Sequence, residues 1–217
     1  DIPSSHIIPI SAQQNIHIEV VLKTLYKMAK QKLKTKPLDS SLGSYGLTVR
    51  TFDVNKPGNH QFQGLVLGGS ILQGSFQVGD ELWMMPHKIK GSIQSIQSDQ
   101  TPLSQAQPGG LIGLQTDIHP MYCDSLIGSS FLKSTDYQDD HYYPVGSIID
   151  IKYYPLEGQT TRIQKGHTLN LHLLATSIDC TVVKVHKQKN YCQIQLTKPL
   201  YVFNDFRFII LYQSHIY

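Results

Sequence analysis

The side chains that could do chemistry are few and poorly gathered. Two carboxylate pairs occur, Asp80-Glu81 and Asp139-Asp140. Acid–base catalysis needs such groups held against a substrate. Asp80-Glu81, however, follows Gly79 as turn chemistry would, and Asp139-Asp140 falls in a polar stretch from Lys133 to Pro144. His119 and Cys123 stand four apart, as two metal ligands on one helix face would, but Pro120 between them argues against that helix. There is no G-x-x-x-x-G-K-[ST] phosphate loop, no H-E-x-x-H pair and no G-x-S-x-G elbow. Lys23, Lys27, Lys30, Lys32, Lys34 and Lys36 crowd one segment, whereas the arginines are Arg50, Arg162 and Arg207. Lysine is a mobile point charge and bidentate base reading prefers arginine. The lysine segment is therefore either a solvated helix face or a contact for nucleic acid that ignores base sequence.

Glycine placement says more. The run Phe52 to Leu82 holds Gly58, Gly64, Gly68, Gly69, Gly74 and Gly79, and Gly109-Gly110 comes later. No helix pattern succeeds Gly64 to Gly74, so this is not a dinucleotide fingerprint. Glycine inside a strand marks a bulge, a barrel corner, or a place where another molecule lies against bare backbone. Barrel curvature and a flat ligand surface both fit Gly68-Gly69 and Gly109-Gly110.

The elements that must position these residues follow from periodicity. Ile7 to Ala12 reads as a short buried strand, and a helix starts near Asn15, with Ile18, Val21, Leu22, Leu25, Met28 and Ala29 on one face. Residues 37–46, rich in Pro, Ser and Gly, read as a linker. Leu47 to Phe52 then alternates with period two. Short strands recur between turn signals at Pro57-Gly58, Gln73-Gly74, Val78-Gly79-Asp80 and Pro108-Gly109-Gly110. After the polar break the alternation resumes at Leu169, Leu171 and Leu173, at Cys192, Ile194 and Leu196, and at Phe206, Phe208, Ile210 and Tyr212. The partition is residues 1–36, a strand-and-helix remnant of something larger; 37–46, a linker; 47–132, a β-barrel; 133–144, a connector; and 145–217, a second β-barrel. Fold class is mainly β, two small antiparallel barrels. The 217 residues are 40% hydrophobic with a net charge of +3, so a packed core is accessible. No apolar run nears the ~18 residues of a membrane helix, and Asp1-Ile2-Pro3 does not read as a signal peptide. Cys123, Cys180 and Cys192, odd in number and without paired spacing, point to a reducing compartment, the cytoplasm, and to no metal knuckle.

Residues 49–58, Val-Arg-Thr-Phe-Asp-Val-Asn-Lys-Pro-Gly, closely resemble the R-S-F-D-V-N-K-P-G segment of the gamma subunit of archaeal and eukaryotic translation initiation factor 2. Gly68 to Gly74 and Val78 to Leu82 resemble that family's G-G-S-I-x-x-G and V-G-D-E strand pair. Pro108 to Gly113, then Asp117 and Pro120, resemble its P-G-G-L-I-G-V-G-T-x-x-D-P segment. Ile8 to Gln13 with Asn15-Ile16 resemble the close of its GTPase domain. The resemblance is dense from Ile8 to Gly128 and thin from Ser129 onward. It implies the last strand and helix of a GTPase domain, then the family's second and third domains, both β-barrels as in elongation factor Tu. It also implies a part in carrying initiator methionyl-tRNA to the small ribosomal subunit. The aminoacylated 3′ end would lie against Arg50, Gly68, Gly69, Ser70, Gly109, Gly110 and Leu111. The alpha subunit would dock on the second domain and the beta subunit on the GTPase domain.

The same resemblance implies GTP and magnesium as cofactors of the longer parent. Here the phosphate loop, the switch segments and the N-K-x-D guanine motif are missing. Ser11, Ala12 and Gln13 match only a weak contact to the base, and none of these cofactors is expected on this chain. His87 to Gly91 is shorter than the family's loop there, which bears on alpha-subunit docking, and Gln213 to Tyr217 departs from the family's last strand. The barrel domains of another translational GTPase, such as the selenocysteine-specific elongation factor, are the alternative. So is a two-barrel protein-interaction module without tRNA binding. A GDP titration of this chain is expected to show no binding near micromolar concentration, because backbone contacts at Ser11 and Ala12 supply too little free energy alone. A saturable micromolar isotherm would contradict that.

Overall fold

A computed structural model describes residues 7–35, 43–55, 58, 63–155, 162–173, 175–186, 190–202, 207–212 and 215–216. The chain divides into two units, residues 1–39 and 40–217.

In the first unit, α1 runs Ile18–Thr35. It starts where the N–H groups of Val20 and Val21 donate to the His17 carbonyl, two residues after Asn15. Asn15 and His17 take positive φ, 57° and 59°, in the preceding turn. Glu19 and Lys23 form an exposed i,i+4 pair at 3.7 Å. The apolar positions Leu22, Leu25 and Met28 are exposed. The strand expected over Ile7 to Ala12 does not form: among the described residues its pairing is one bridge, Ser11 with Ile16. Without a neighbouring strand there is no ladder to satisfy its backbone groups.

The second unit holds two antiparallel systems. The first comprises β1 (Tyr45–Phe52), β2 (Val66–Gln73), β3 (Phe76–Gln77), β4 (Glu81–Met85), β5 (Ile89–Ser98), β6 (Thr101–Leu103), β7 (Gln105–Ala106), β8 (Ile112–Thr116) and β9 (Ser130–Lys133). The order is β4-β9-β1-β2-β8-β5-β6, and β4 also pairs with β5. That last pairing, Glu81 with Ser92 through Met84 with Ile89, closes six strands into a ring. Leu67 and Ile71 of β2, Leu82 and Met84 of β4, Ile93 and Ile96 of β5, Leu114 of β8 and Phe131 of β9 fill it. The opposite residues of each strand face outward, which is the period-two pattern the sequence carries.

The second system comprises β10 (Tyr142–Tyr143), β11 (Ile148–Lys152), β12 (Thr168–Leu173), β13 (Thr176–His186), β14 (Tyr191–Leu196), β15 (Leu200–Tyr201), β16 (Ile209–Tyr212) and β17 (His215–Ile216). Its main sheet has the order β11-β14-β13-β12-β16-β17, and among the described residues no pairing joins β11 to β17. Leu169, Leu171 and Leu173 are buried with Ile194, Leu196, Ile210 and Tyr212, as their alternation requires; Phe206 lies outside the described residues. Cys180 and Cys192 belong to this core, and burial pushes their thiols up to about 12 and about 11. All three cysteines are free.

The polar break over Lys133 to Pro144 is not an open connector. Its short 3-10 turns, Ser134–Asp136 and Asp139–His141, are followed by Tyr137 and Tyr142 respectively. Met85, Leu132 and Tyr201 are buried there, with Tyr45, Trp83, Tyr137 and Tyr142 against them. The Tyr137 ring lies 5.4 Å from Trp83 of one system and 6.2 Å from Tyr201 of the other. Lys88 Nζ sits 3.9 Å above the Tyr142 ring and 3.6 Å from Asp139 Oδ1, and the Tyr137 hydroxyl donates to the same carboxylate. This small core joins the two systems. Leu132→Ala, which opens a void in it, should lower stability by about 2–5 kcal/mol and separate the calorimetric transitions of the two systems. An unshifted single transition would show that the junction contributes nothing.

Candidate functional site

The glycine-rich strands are set by one irregularity. Thr48 of β1 pairs with Gly69 of β2, but the next pair is Arg50 with Gly68, so Val49 is an extra residue in β1. A bulge of this kind bends its strand and increases the local twist. A Cβ on Gly69 would lie 2.0 Å from the Leu47 carbonyl oxygen. Gly69 is buried and faces inward, so its own neighbouring strand is what excludes a side chain. After the bulge, Arg50 pairs with Gly68 and Phe52 with Val66, and Arg50, Val49 and Phe52 are exposed.

On the outer face the rows run across three strands. Arg50, Gly68 and Gly113 form one row, and Phe52, Val66 and Gln115 the next. Leu47 and Ser70 lie on the other side. Gly113 has room for a Cβ, whose nearest neighbour would be Val66 Cγ1 at 3.8 Å. On Gly68 a Cβ would meet the edge of the Phe52 ring at 3.0 Å. The result is two side-chain-free positions side by side, Gly68 with the edge of the Phe52 ring against it and Gly113 open, in one row with the exposed Arg50.

Gly109 and Gly110 are not in strands as expected. They form the turn before β8, with φ of 129° and 109°, and nothing lies within 4 Å of a Cβ on either. Their requirement is conformational, since L side chains rarely take that region. Two hydroxyls hold this turn: Ser70 Oγ donates to the Gly110 carbonyl and Ser98 Oγ to that of Leu111, each at 3.0 Å. Leu111 is 71% exposed. Gly68, Ser70, Gly110, Leu111 and Arg50 thus share one face, while Gly69 lies beneath it. The sequence reading missed Gly113, Phe52 and Gln115, because strand register across β2 and β8 is not written in local spacing.

The segment after β1 is closed by its asparagine. Asn55 donates from N and Nδ2 to Asp53 Oδ1 at 2.9 and 2.7 Å, and from Nδ2 to the Gln63 carbonyl at 2.7 Å; its Oδ1 accepts from Gln63 N at 2.8 Å. Bonds from Asn55 hold the Asp53 carboxyl below the usual carboxylate range. Lys56 and Pro57 lie outside the described residues, and Gly58 takes φ of 84°.

Other chemistry-bearing residues are occupied structurally. Asp80 accepts from Gln77 N at 2.8 Å and pairs with Lys133 at 2.9 Å. His119 Nδ1 accepts from Met121 N, and the Cys123 carbonyl accepts from Thr51 Oγ1 at 2.6 Å. Among the described residues no three His, Cys, Asp or Glu side chains gather as a metal site. Ser11 to Gln13 lie in the turn before α1 within the other unit, with Ala12 and Gln13 exposed. A cavity of about 250 Å³ lies between the turn at Met85-Pro86-His87, residues 125–130 and the β12, β13 and β15 region. Burial there pushes the His87 imidazole pKa down, partly offset by a hydrogen bond to the Ser125 backbone. No helix among the described residues is long and apolar enough to cross a membrane.

The geometry separates two glycine requirements that measurement can tell apart. Gly69→Ala puts a Cβ into a carbonyl oxygen and should unfold the first system or cost more than about 3 kcal/mol. Gly110→Ala pays only for positive φ and should cost about 1–2 kcal/mol. Equal melting temperatures for the two variants would overturn this assignment.

No protein-family model matches the chain. The translation initiation factor 2 subunit gamma of Sulfurisphaera tokodaii is 31% identical over 94% of the chain, and that of Aeropyrum pernix 28% over 90%. The matches cover 53% and 51% of those proteins, so the chain spans about half the length of the curated relatives it matches. Among solved structures, a bacterial selenocysteine-specific elongation factor aligns with a TM-score of 0.73 at 16% identity, covering 96% of this chain and 32% of that one. The elongation factor SelB from Methanococcus maripaludis, in its apo form, aligns at 0.70 and 17%, covering 97% and 48%. At such identities these two establish a shared fold, a mainly β arrangement of translation-factor type. By sequence, the chain is a homologue of the gamma subunit of translation initiation factor 2.

Proposed function

We propose that the β systems of this chain serve translation initiation by holding the aminoacylated 3′ end of initiator methionyl-tRNA on the outer face of β1, β2 and β8. The observation that carries the reading is the Gly68–Gly113 strip, flanked by Arg50 and Phe52 and bordered by the Ser70–Gly110 hydrogen bond. Bare backbone permits close approach by a planar base or an esterified amino acid. The exposed guanidinium suits a terminal phosphate, and a half-exposed ring suits stacking. Leu111 and Phe52 offer apolar surface to a methionyl side chain. Gly69 supports this face from below and is not part of it. Gly109 and Gly110 shape its border by turn geometry.

The rest of the reading rests on homology. The chain acts within a longer cytoplasmic factor whose GTPase part binds GTP and magnesium, and Ser11, Ala12 and Gln13 contribute at most a base contact there. The alpha and beta subunits and the small ribosomal subunit are its partners. Relationship in sequence to initiation factors favours this over the selenocysteine-specific alternative, whose likeness is one of fold. Gly113→Val tests the site, since the position has space and ordinary strand φ. It should weaken initiator methionyl-tRNA binding by the factor carrying this chain tenfold or more, about 1.4 kcal/mol, with little change in melting temperature. Full affinity in the folded variant would refute the assignment.

A further inference from the structure

The second system carries its own bulge, and it also delivers a cation. Val182 of β13 pairs with Ile194 of β14, but the next pair is Lys184 with Gln193, leaving Val183 extra. Were Val183 paired in regular register, Lys184 would oppose Cys192, which is fully buried. With the bulge, Lys184 lies exposed on the outer face. Two rows cross β11, β14 and β13 there: Lys152, Tyr191 and His186, and next to them Asp150, Gln193 and Lys184. Lys152 Nζ stands 5.0 Å over the Tyr154 ring and 5.7 Å over the Tyr191 ring. A hydrogen bond with Tyr154, and then the electrostatic influence of Tyr154 and Tyr191, raise its pKa and favour the charged form. Tyr154 is 63% exposed. Among the described residues the lysines in ion pairs are Lys23, Lys88 and Lys133, so Lys152 and Lys184 keep their charge for something else. In sequence, Lys187 and Lys189 join β13 to β14.

We infer that this face of β11, β14 and β13 is a second RNA-binding surface, separate from the glycine strip, that takes a single-stranded segment without regard to sequence. Lys152 and Lys184 meet backbone phosphates. Tyr154 stacks on an unpaired base, and Gln193 and Tyr191 offer polar edges between them. Lysines without an arginine fork suit phosphate and not base reading. An exposed ring beside them favours a single strand, since bases in a duplex are already stacked on one another. An acidic protein segment would use the lysines but has no use for the ring. Asp150, the one described carboxylate in these rows, is separated from Lys184 by Gln193.

The test is an anisotropy titration of a short labelled oligouridylate with the full chain. Lys152→Gln with Lys184→Gln should weaken binding roughly tenfold and flatten the log–log salt slope by about 1.4, two contacts at about 0.7 each. Tyr154→Ala should weaken it about fivefold or more. Lys23→Gln with Lys27→Gln should leave it unchanged. All five positions are exposed, and an unaltered thermal transition checks the fold; Tyr154→Ala alone decides if the double variant melts early. Equal losses from the Lys23 and Lys27 pair would show diffuse attraction and overturn the proposal. So would an unaffected Tyr154→Ala combined with displacement of the RNA by polyglutamate or by a duplex stem.

Discussion

The close approach of β1 to β2 at Gly69 is the constraint on which the first β system depends. Beside the bulge at Val49, the Leu47 carbonyl oxygen lies 2.0 Å from where a Cβ on Gly69 would stand. Only a residue without a side chain lets both strands stay in one ladder there. If Val49 paired in regular register instead of bulging, Arg50 would oppose Leu67, which is 1% exposed, and a guanidinium would enter the core. Burying an unpaired charge costs several kcal/mol or more. The bulge and the glycine therefore fix register together, and register decides that Arg50 and Phe52 face out beside Gly68 and Gly113. The surface is a consequence of packing beneath it.

The same strand connects that surface to the rest of the second unit. β1 ends at Phe52 on the outer face and begins at Tyr45, which packs against Met85, Leu132 and Tyr201. Its first residues pair with β9 on one side and β2 on the other. The aromatic junction contains no long ladder of its own. β10 and β15 contribute two pairs, and Tyr137, Trp83 and Tyr201 do the rest by ring contact. Ring contacts and a lysine over Tyr142 join the two systems by short-range packing and not by sheet continuity, and Gly128 adds a close approach to the Ala175 backbone and Thr176.

Much of this was legible in the sequence, and the parts that were not share a cause. The alternation at Leu169, Leu171 and Leu173 and at Cys192, Ile194 and Leu196 reads directly as buried faces, because side-chain direction in a strand has period two. The turns at Gly74, Gly79 and Gly110 are marked by glycines that take positive φ. What failed was non-local. Ile7 to Ala12 looks like a strand because it is apolar, but a strand needs a neighbour that composition cannot supply. Tyr137 and Tyr142 look like connector residues because their 3-10 turns have no period, although they pack on rings far along the chain. Gly113 closes the Pro108 to Gly113 segment, but nothing local says that it pairs from β8 with Gly68 of β2. Gly69 looks like ligand surface because a glycine needed for packing and one needed for access are the same letter.

The two bulges do leave a trace, and it is a conflict of parity. In Val182-Val183-Lys184-Val185-His186, strict alternation puts Val182 and Lys184 on one face, so either a lysine is buried or a valine is wasted on solvent. One extra residue resolves it: Val182 stays inside and Lys184 goes out. In Thr48-Val49-Arg50 the conflict is masked, because threonine tolerates either face; Thr48 is fully buried while Arg50 is exposed. A charged residue two positions from one that must be buried, inside an otherwise regular strand, is therefore a physical argument for a bulge between them. The argument is weaker where the first residue is Thr and stronger where it is Val. In both systems the device sets a cation on an outer face while the apolar residues beneath keep their register, so a basic surface is obtained without breaking the core that supports it.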